Sequence, residues 1–280
     1  MGCDGNSDLS PLVEGEMFGQ NSDNSTDNNT GNNTGNSTGK NSCKAEWRVA
    51  EEVPLVIFYN SEQFGVMMLT PADFEDFAIG FSINEGIVSG LKDIKDVRLE
   101  TVGDGKIVNI IVPEKALKIA RSRKRTISGG SSCGICGAQT LAAALPKLKK
   151  TNGLVPEPEY ALKALKALSS KQVYNNQNFS CHAAALANGK GEIILLREDV
   201  GRHNALDKLC GAMAQAGLGA REGFLVLSSR FSVEMAQKAI VTGFSFVAAT
   251  SAPTALALSR AKQSATQVAT LSQDALMIFK

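Results

Sequence analysis

The chain has 280 residues, 43% of them hydrophobic and 20% charged, with a formal net charge of +1. That composition suits a soluble globular protein of one large or two small domains. So balanced a charge gives no electrostatic ground for a nucleic-acid partner, and no apolar run approaches the roughly 20 residues of a membrane span.

The opening MGCDGNSDLS lacks the basic and apolar regions of a secretion signal, and Asn6 stands where a myristoylation pattern needs Ser or Thr. The cysteines are Cys3, Cys43, Cys133, Cys136, Cys181 and Cys210. Apart from one pair they are scattered, unlike a secreted disulfide framework, so a reducing cytoplasm is the expected location. Residues 1–44 read as a disordered tail, because the Asn/Ser/Thr-rich tract has no apolar periodicity and cannot offset its ordering entropy. Its N-x-S/T matches at Asn24, Asn28, Asn32 and Asn36 read as composition, not glycosylation.

Order is expected from Trp47. VPLVIFYN (53–60) and FGVMMLT (64–70) read as a hairpin. In TPADFEDFAIGFSINEG, Thr70 is the expected N-cap, Pro71 the first helical residue and Gly86 the stop. Phe74, Phe77, Ala78 and Phe81 share one helix face and read as core. DVRLETV and KIVNIIV add two strands, and PEKALKIARSRK (113–124) a helix, so 45–124 form a small α+β unit.

The SGGSSCGICG loop (128–137) follows, then an apolar helix AQTLAAAL and a second helix EYALKALKALSS (159–170). CHAAALA, NGKG and EIILLRED read as strand, turn, strand. GRHNALDKLCGAMAQAG reads as a helix with Ala205, Leu206, Leu209 and Met213 inward. FLVLSS, VEMAQKAIVTG, FSFVAATS and PTALALSRAKQSA continue the alternation, the last helix begun by Pro253. Residues 125–280 therefore read as a layered α/β domain.

The Cys133–Cys136 pair supplies two of the four ligands of a structural zinc site, and there is no second CxxC. The only histidines are His182 and His203, at spacings that match no finger, so no metal is expected. A zinc deaminase would carry H-x-E at one helix start and P-C-x-x-C at the next. Here HNA (203–205) puts Ala205 at the glutamate position, and SSRFS (228–232) stands where the cysteines belong. The topology is deaminase-like and the deaminase chemistry is missing. A thioredoxin-type dithiol would start a helix after a strand. This pair instead follows Thr126, Ser128, Gly129, Gly130, Ser131 and Ser132, a mobile setting that suits a thiolate reaching two partners. The run RSRKR (121–125) would favour thiolate and anionic cargo, or is simply a solvated helix end.

Several long stretches in order, AEEVPLVIFYN, TPADFEDFAIGFSINEGIV, SSCGICG, HAAALA, REDVGRHNALDKLCG, SSRFSVEMAQKA and ATSAPTALA, resemble the FdhD-type accessory sulfurtransferases of formate dehydrogenase. The resemblance implies a cytidine-deaminase-like three-layer α/β/α domain without deaminase zinc, and a homodimer. It implies a carrier that takes persulfide sulfur from a cysteine desulfurase and passes it to the molybdenum cofactor before that cofactor enters formate dehydrogenase. The cofactor, Mo-bis(molybdopterin guanine dinucleotide), is cargo. Cys133 maps to the persulfide carrier and Cys136 to its partner in transfer or release.

Guanine dinucleotide arms need anion contacts. Arg202, His203 and Asn204 open one helix, and Ser228, Ser229 and Arg230 stand before the next, where N–H groups and helix dipoles favour phosphate. Arg202 suits a bidentate phosphate contact, and His203 reads equally as a buried histidine. Asp207 and Lys208 read as supporting the fold. The family's Thr-Gly-Gly before the HAAALA histidine is NFSC (178–181) here. Its cofactor-contacting C-terminal loop falls on ATLSQDAL (269–276), which carries Thr270, Leu271, Ser272, Gln273, Asp274 and Ala275 over as contacts without the family's Gly-Phe and arginine. Two other readings stay open: a cofactor-binding chaperone with a structural dithiol, and a CxxC oxidoreductase. Cys181 and Cys210 read as buried thiols, Cys181 alternatively as activated by His182.

Overall fold

The computed structural model describes residues 9–18, 42–127 and 148–279. The expected loop at 128–137 and helix at 138–145 lie outside the described residues. Two sheets carry the architecture, and a two-stranded ribbon accompanies them.

The ribbon pairs β1 (Leu12–Phe18) with β2 (Ser42–Arg48) in antiparallel register. This corrects the reading of 1–44 as a wholly disordered tail. The register sets Val13 opposite Trp47 and Gly15 opposite Ala45 on one face, while Glu14 and Glu46 share the other. That period-two pattern is too short to show against the polar tract that follows it.

In the small unit, β3 (Val53–Tyr59) and β4 (Glu62–Leu69) form the expected hairpin. β5 (Asp96–Val102) and β6 (Gly105–Ile111) complete a sheet of order β4-β3-β6-β5, with β3 and β6 parallel. Strand alternation turns Leu55, Ile57, Tyr59, Val108 and Ile110 inward. There they meet Phe74, Phe77 and Phe81 of α1 (Phe74–Asn84) and Ala116, Leu117 and Ala120 of α2 (Glu114–Ile127). The phenol of Tyr59 stays satisfied inside this core by Ser82 Oγ at 2.8 Å. Gly86, at φ 67, ends α1 as expected.

The start of α1 differs from expectation. Its N-cap is Asp73, with no side-chain cap, and Thr70 works across the chain instead. The Thr70 N–H donates to Asp199 Oδ2 (3.0 Å), its hydroxyl accepts from Val200 N (3.1 Å), and its carbonyl accepts from Lys208 Nζ (3.1 Å). The fully buried Asp199–Lys208 pair, 2.7 Å apart, needs these extra partners to offset its desolvation. That demand overrides the local capping pattern.

The large unit has a six-stranded sheet of order β12-β11-β10-β9-β7-β8. β9 (Phe224–Arg230), β10 (Phe246–Ser251) and β11 (Gln267–Ser272) are parallel. The hairpin of β7 (His182–Ala187) and β8 (Ile193–Asp199) flanks them on one side, and β12 (Ala275–Phe279) pairs antiparallel with β11 on the other. α3 (Pro158–Lys171) covers one face through Ala161, Ala164, Leu165 and Leu168. α5 (Arg202–Gln215), α6 (Val233–Thr242) and α7 (Ala255–Gln263) cover the other. A single-turn helix α4 (Asn175–Asn178) leads into β7. This is a mixed α/β fold, layered as the alternation predicted and three-layered as the resemblance implied. Pro253 does not begin α7: Thr254 is the N-cap and its side chain accepts from Ala257 N.

The two units share one close helix crossing. Asp76, Gly80 and Asn84 recur every four residues along α1, as do Asp207, Gly211 and Gln215 along α5. A Cβ on Gly80 would lie 1.8 Å from the Asp207 carbonyl oxygen, and one on Gly211 1.8 Å from that of Asp76. Polar side chains flank the crossing: Asn84 Nδ2 donates to Asp207 (2.7 Å), and Arg197 pairs with Asp76 (2.6 Å). Lys238 pairs with Asp207 at 2.8 Å. Asp207 and Lys208 thus serve the fold, as read from sequence. No described helix is long and apolar enough to cross a membrane.

Candidate functional site

In the large sheet β8, β9, β10 and β11 end at one edge, and β7 and β12 begin there. His182 pairs with Asp199, Arg230 with Ser251, and Ser272 with Ala275. Open α/β sheets bind ligands outside the carboxyl ends of their strands. The sequence-predicted binding residues 202–204, 229–230 and 270–275 all lie along this edge, although they are far apart in the chain.

The turn from β8 into α5 is built by Asp199. Its Oδ1 accepts from Gly201 N (2.8 Å) and Asn204 Nδ2 (3.0 Å). A Cβ on Gly201 would sit 2.7 Å from Asn204 Nδ2, so a larger residue there would disturb this side chain. Asn204 Nδ2 also donates to Met68 O (2.9 Å). The Asn204 amide nitrogen thus ties the α5 start to Asp199 and, through Met68 O, to the small unit. Ser229 is also turned inward, buried, with Oγ on the Arg230 carbonyl. Ser228 Oγ accepts from Ala183 N (2.7 Å) and so stitches β9 to β7.

What remains at the edge is cationic and incompletely satisfied. Arg202 is half-buried, His203 is buried and Arg230 is exposed. Burial, followed by the charges of Arg202 and Lys238, pushes His203 down to about 4, so its ring is neutral at physiological pH. His182 is lowered by burial and then by Arg202 and Arg230. Both histidines thus sit in the field of the same two arginines. Arg202 Nε, His203 Nε2 and Ser232 Oγ are buried and have no hydrogen-bond partner among the described residues. Ser232 is the N-cap of α6, yet its hydroxyl caps nothing. Two helix N-termini and two arginines, whose charges outweigh that of Glu234 at His203, give this edge an electrostatic pole suited to an anion. His182 and Ser232 were not among the predicted binding residues. The sequence signal for Ser232 was its position just before VEMAQKA, where an N-cap serine belongs.

The C-terminal stretch is a hairpin. Thr270 is buried, with Oγ1 on the Ala249 carbonyl (3.0 Å), and Leu271 packs toward the α3 face. Ser272, Gln273, Asp274 and Ala275 are exposed in its turn, with Gln273 at φ 55 and Asp274 3.6 Å from Lys166. β11 lies two strands from β9, so this turn is about 10 Å from Arg230 along the edge. Cys133 and Cys136 lie outside the described residues.

Burial pushes the Cys181 thiol up, opposed only in part by its hydrogen bond from Asn178. Cys210, against Thr242 Oγ1 at 3.1 Å, is pushed up to about 11. Both are buried thiols, as expected, and burial disfavours the thiolate form at each.

The FdhD/NarQ family model matches residues 50–280. The chain belongs to this family. It is 45% identical over 214 residues to the sulfur carrier protein FdhD of Xanthomonas oryzae pv. oryzae (strain MAFF 311018), covering 76% of each chain. It is 41% identical over 216 residues to that of Bordetella parapertussis, covering 77% of this chain and 78% of the other. A solved structure from Desulfotalea psychrophila, assigned as a formate dehydrogenase accessory protein, superposes with TM-score 0.70 over 97% of both chains at 19% identity. The fold just described is therefore one that this solved structure shares.

Proposed function

We propose that this chain is a sulfur carrier serving formate dehydrogenase, with Cys133 as the persulfide cysteine and a guanine-dinucleotide molybdenum cofactor as cargo. The names of its relatives support the carrier role and the formate dehydrogenase link. The observation that carries the cargo reading is the pole at the carboxyl edge, where Arg202, Arg230, His203 and Ser232 offer charge and unpartnered polar atoms to phosphate.

The loading step is thiol–persulfide exchange. The Cys133 thiolate attacks the outer sulfur of a cysteine desulfurase's persulfide; a Cys133–sulfur bond forms, the donor's S–S bond breaks, and the donor cysteine leaves as thiolate. Cys136 is the second thiol available for transfer or release. Phosphates bound at the pole would hold the cargo at the same edge of the sheet while sulfur is delivered.

The test is incubation of the full chain with a cysteine desulfurase and sulfur-labelled cysteine. Cys133→Ala should lose the label, whereas Arg202→Ala should keep it and fail to restore formate dehydrogenase in a strain lacking its own carrier. Undiminished label on Cys133→Ala would overturn the assignment. Restoration of formate dehydrogenase by a Cys133→Ser, Cys136→Ser double variant would favour a cofactor-binding chaperone. Reduction of insulin disulfides would favour a dithiol oxidoreductase.

A further inference from the structure

Trp47 on β2 and Phe179, just after α4, lie against each other with ring centroids 5.6 Å apart and planes tilted by 45°. Trp47 is 53% exposed and Phe179 68%. Two large rings held side by side in water are an informative departure from ordinary burial.

Neither ring is loosely placed. Phe179 sits at φ 55, a left-handed conformation unusual for an aromatic residue. Phe179 N donates to Asn175 O (2.9 Å), and the buried Asn178 accepts from Ser180 N (2.9 Å). The buried carboxylate of Glu198 takes the N–H groups of Tyr174 and Asn175, each at 2.9 Å. The ribbon is fastened to the same segment: Asn178 Nδ2 donates to Ser10 Oγ (2.9 Å), and Arg48 Nη1 to Ser10 O (2.9 Å).

The pair is also close to the anion pole. Phe179 is three residues before His182, so their Cα atoms are within about 11 Å. His182 stands beside Asp199 on the sheet and is influenced by Arg202 and Arg230. A nucleoside diphosphate spans such a distance from phosphate to base. At about half exposure the two rings offer roughly 200 Å², far below the ~800 Å² per partner of a standard protein interface. A flat base stacked on them needs no more.

We propose that Trp47 and Phe179 form the stacking platform for the purine base of a nucleotide whose phosphates lie at the pole of Arg202, His203 and Ser232. This rests on the reading of that pole as a phosphate site, and it adds the residues that take the base. In strand order Phe179 precedes β7, which lies between β9 and β8, the strands that lead to Ser232 and Arg202.

Trp47 is the only tryptophan of the chain, so its fluorescence reports on the platform alone. The full chain is titrated with GDP and, separately, with inorganic pyrophosphate, by fluorescence and by calorimetry. GDP should quench Trp47 saturably, while pyrophosphate should bind without quenching. Phe179→Ala should weaken GDP about ten-fold and leave pyrophosphate unchanged; Arg202→Ala should weaken both. GDP binding that leaves Trp47 fluorescence and the Phe179→Ala affinity unaltered overturns the platform and leaves the phosphate reading standing. Absence of binding by both probes overturns the two together. A Trp47 emission shift that follows protein concentration, without nucleotide, and vanishes in Phe179→Ala would mark the rings as a self-association patch and also overturn the platform.

Discussion

Gly80→Ala should pry the two units apart. The new methyl would stand 1.8 Å from Asp207 O, 2.7 Å from Gly211 N and 2.8 Å from Asp207 C, all of them backbone atoms of α5. No rotamer relieves such a clash, so the helices must part by about 1.6 Å, the difference between 1.8 Å and an ordinary 3.4 Å contact. That shift would stretch the 2.7 Å bond from Asn84 to Asp207 beyond hydrogen-bonding range and strain the 2.6 Å pair of Arg197 with Asp76. Overpacking costs about 1–3 kcal/mol, and one lost bond to a buried charge about 1.5–3 kcal/mol. The expected destabilisation is therefore about 2.5–6 kcal/mol, a fall in melting temperature of roughly 10 °C. Thermal unfolding by circular dichroism measures it, with Gly90→Ala as the control. Gly90 has no atom within 4 Å of a built Cβ, and its φ of 167 is ordinary extended backbone. A Gly80→Ala melting temperature within about 2 °C of the control would refute the close crossing.

Lys208→Met removes the partner of a fully buried Asp199 and should cost about 3–5 kcal/mol, read as a shift of the urea midpoint; a loss under about 1 kcal/mol would contradict the pairing. His203, held to about 4 in the folded chain by burial and Arg202, regains an ordinary value near 6.5 on unfolding. Between those values the unfolded chain binds the extra proton. Stability from this group is thus complete above about pH 6.5 and lost as pH falls toward 4. Comparing urea unfolding at pH 7 and pH 5, wild type should lose about 2 kcal/mol more than His203→Gln; equal losses would mean that folding does not lower the His203 pKa. Thr70→Val, which keeps the shape and removes the hydroxyl acceptor of Val200 N, should cost about 1–3 kcal/mol, measured by the same unfolding.

The sequence by itself determined what depends on near neighbours in the chain. Phe74, Phe77, Ala78 and Phe81 at i, i+3, i+4 and i+7 of α1 made a buried helix face, and alternation in VPLVIFYN made a half-buried strand, because side-chain direction follows from helix and strand periods alone. The strand–helix alternation from 182 to 279 was enough for a layered α/β fold. It also placed Arg202 and Arg230 at helix starts that meet on one sheet edge. The same logic misassigned Thr70, because the capping pattern is local and the competing partners, Asp199 and Lys208, are 129 and 138 residues away. Only the tertiary structure decided that Asn204 bridges the two units, that Ser232 Oγ has no partner among the described residues, and that β1 belongs to a ribbon. It alone showed that Gly80 and Gly211 are spaces for another helix's backbone. Each of these is a statement about which hydrogen bonds and contacts remain once distant segments have been brought together, and periodicity along one segment carries no record of that.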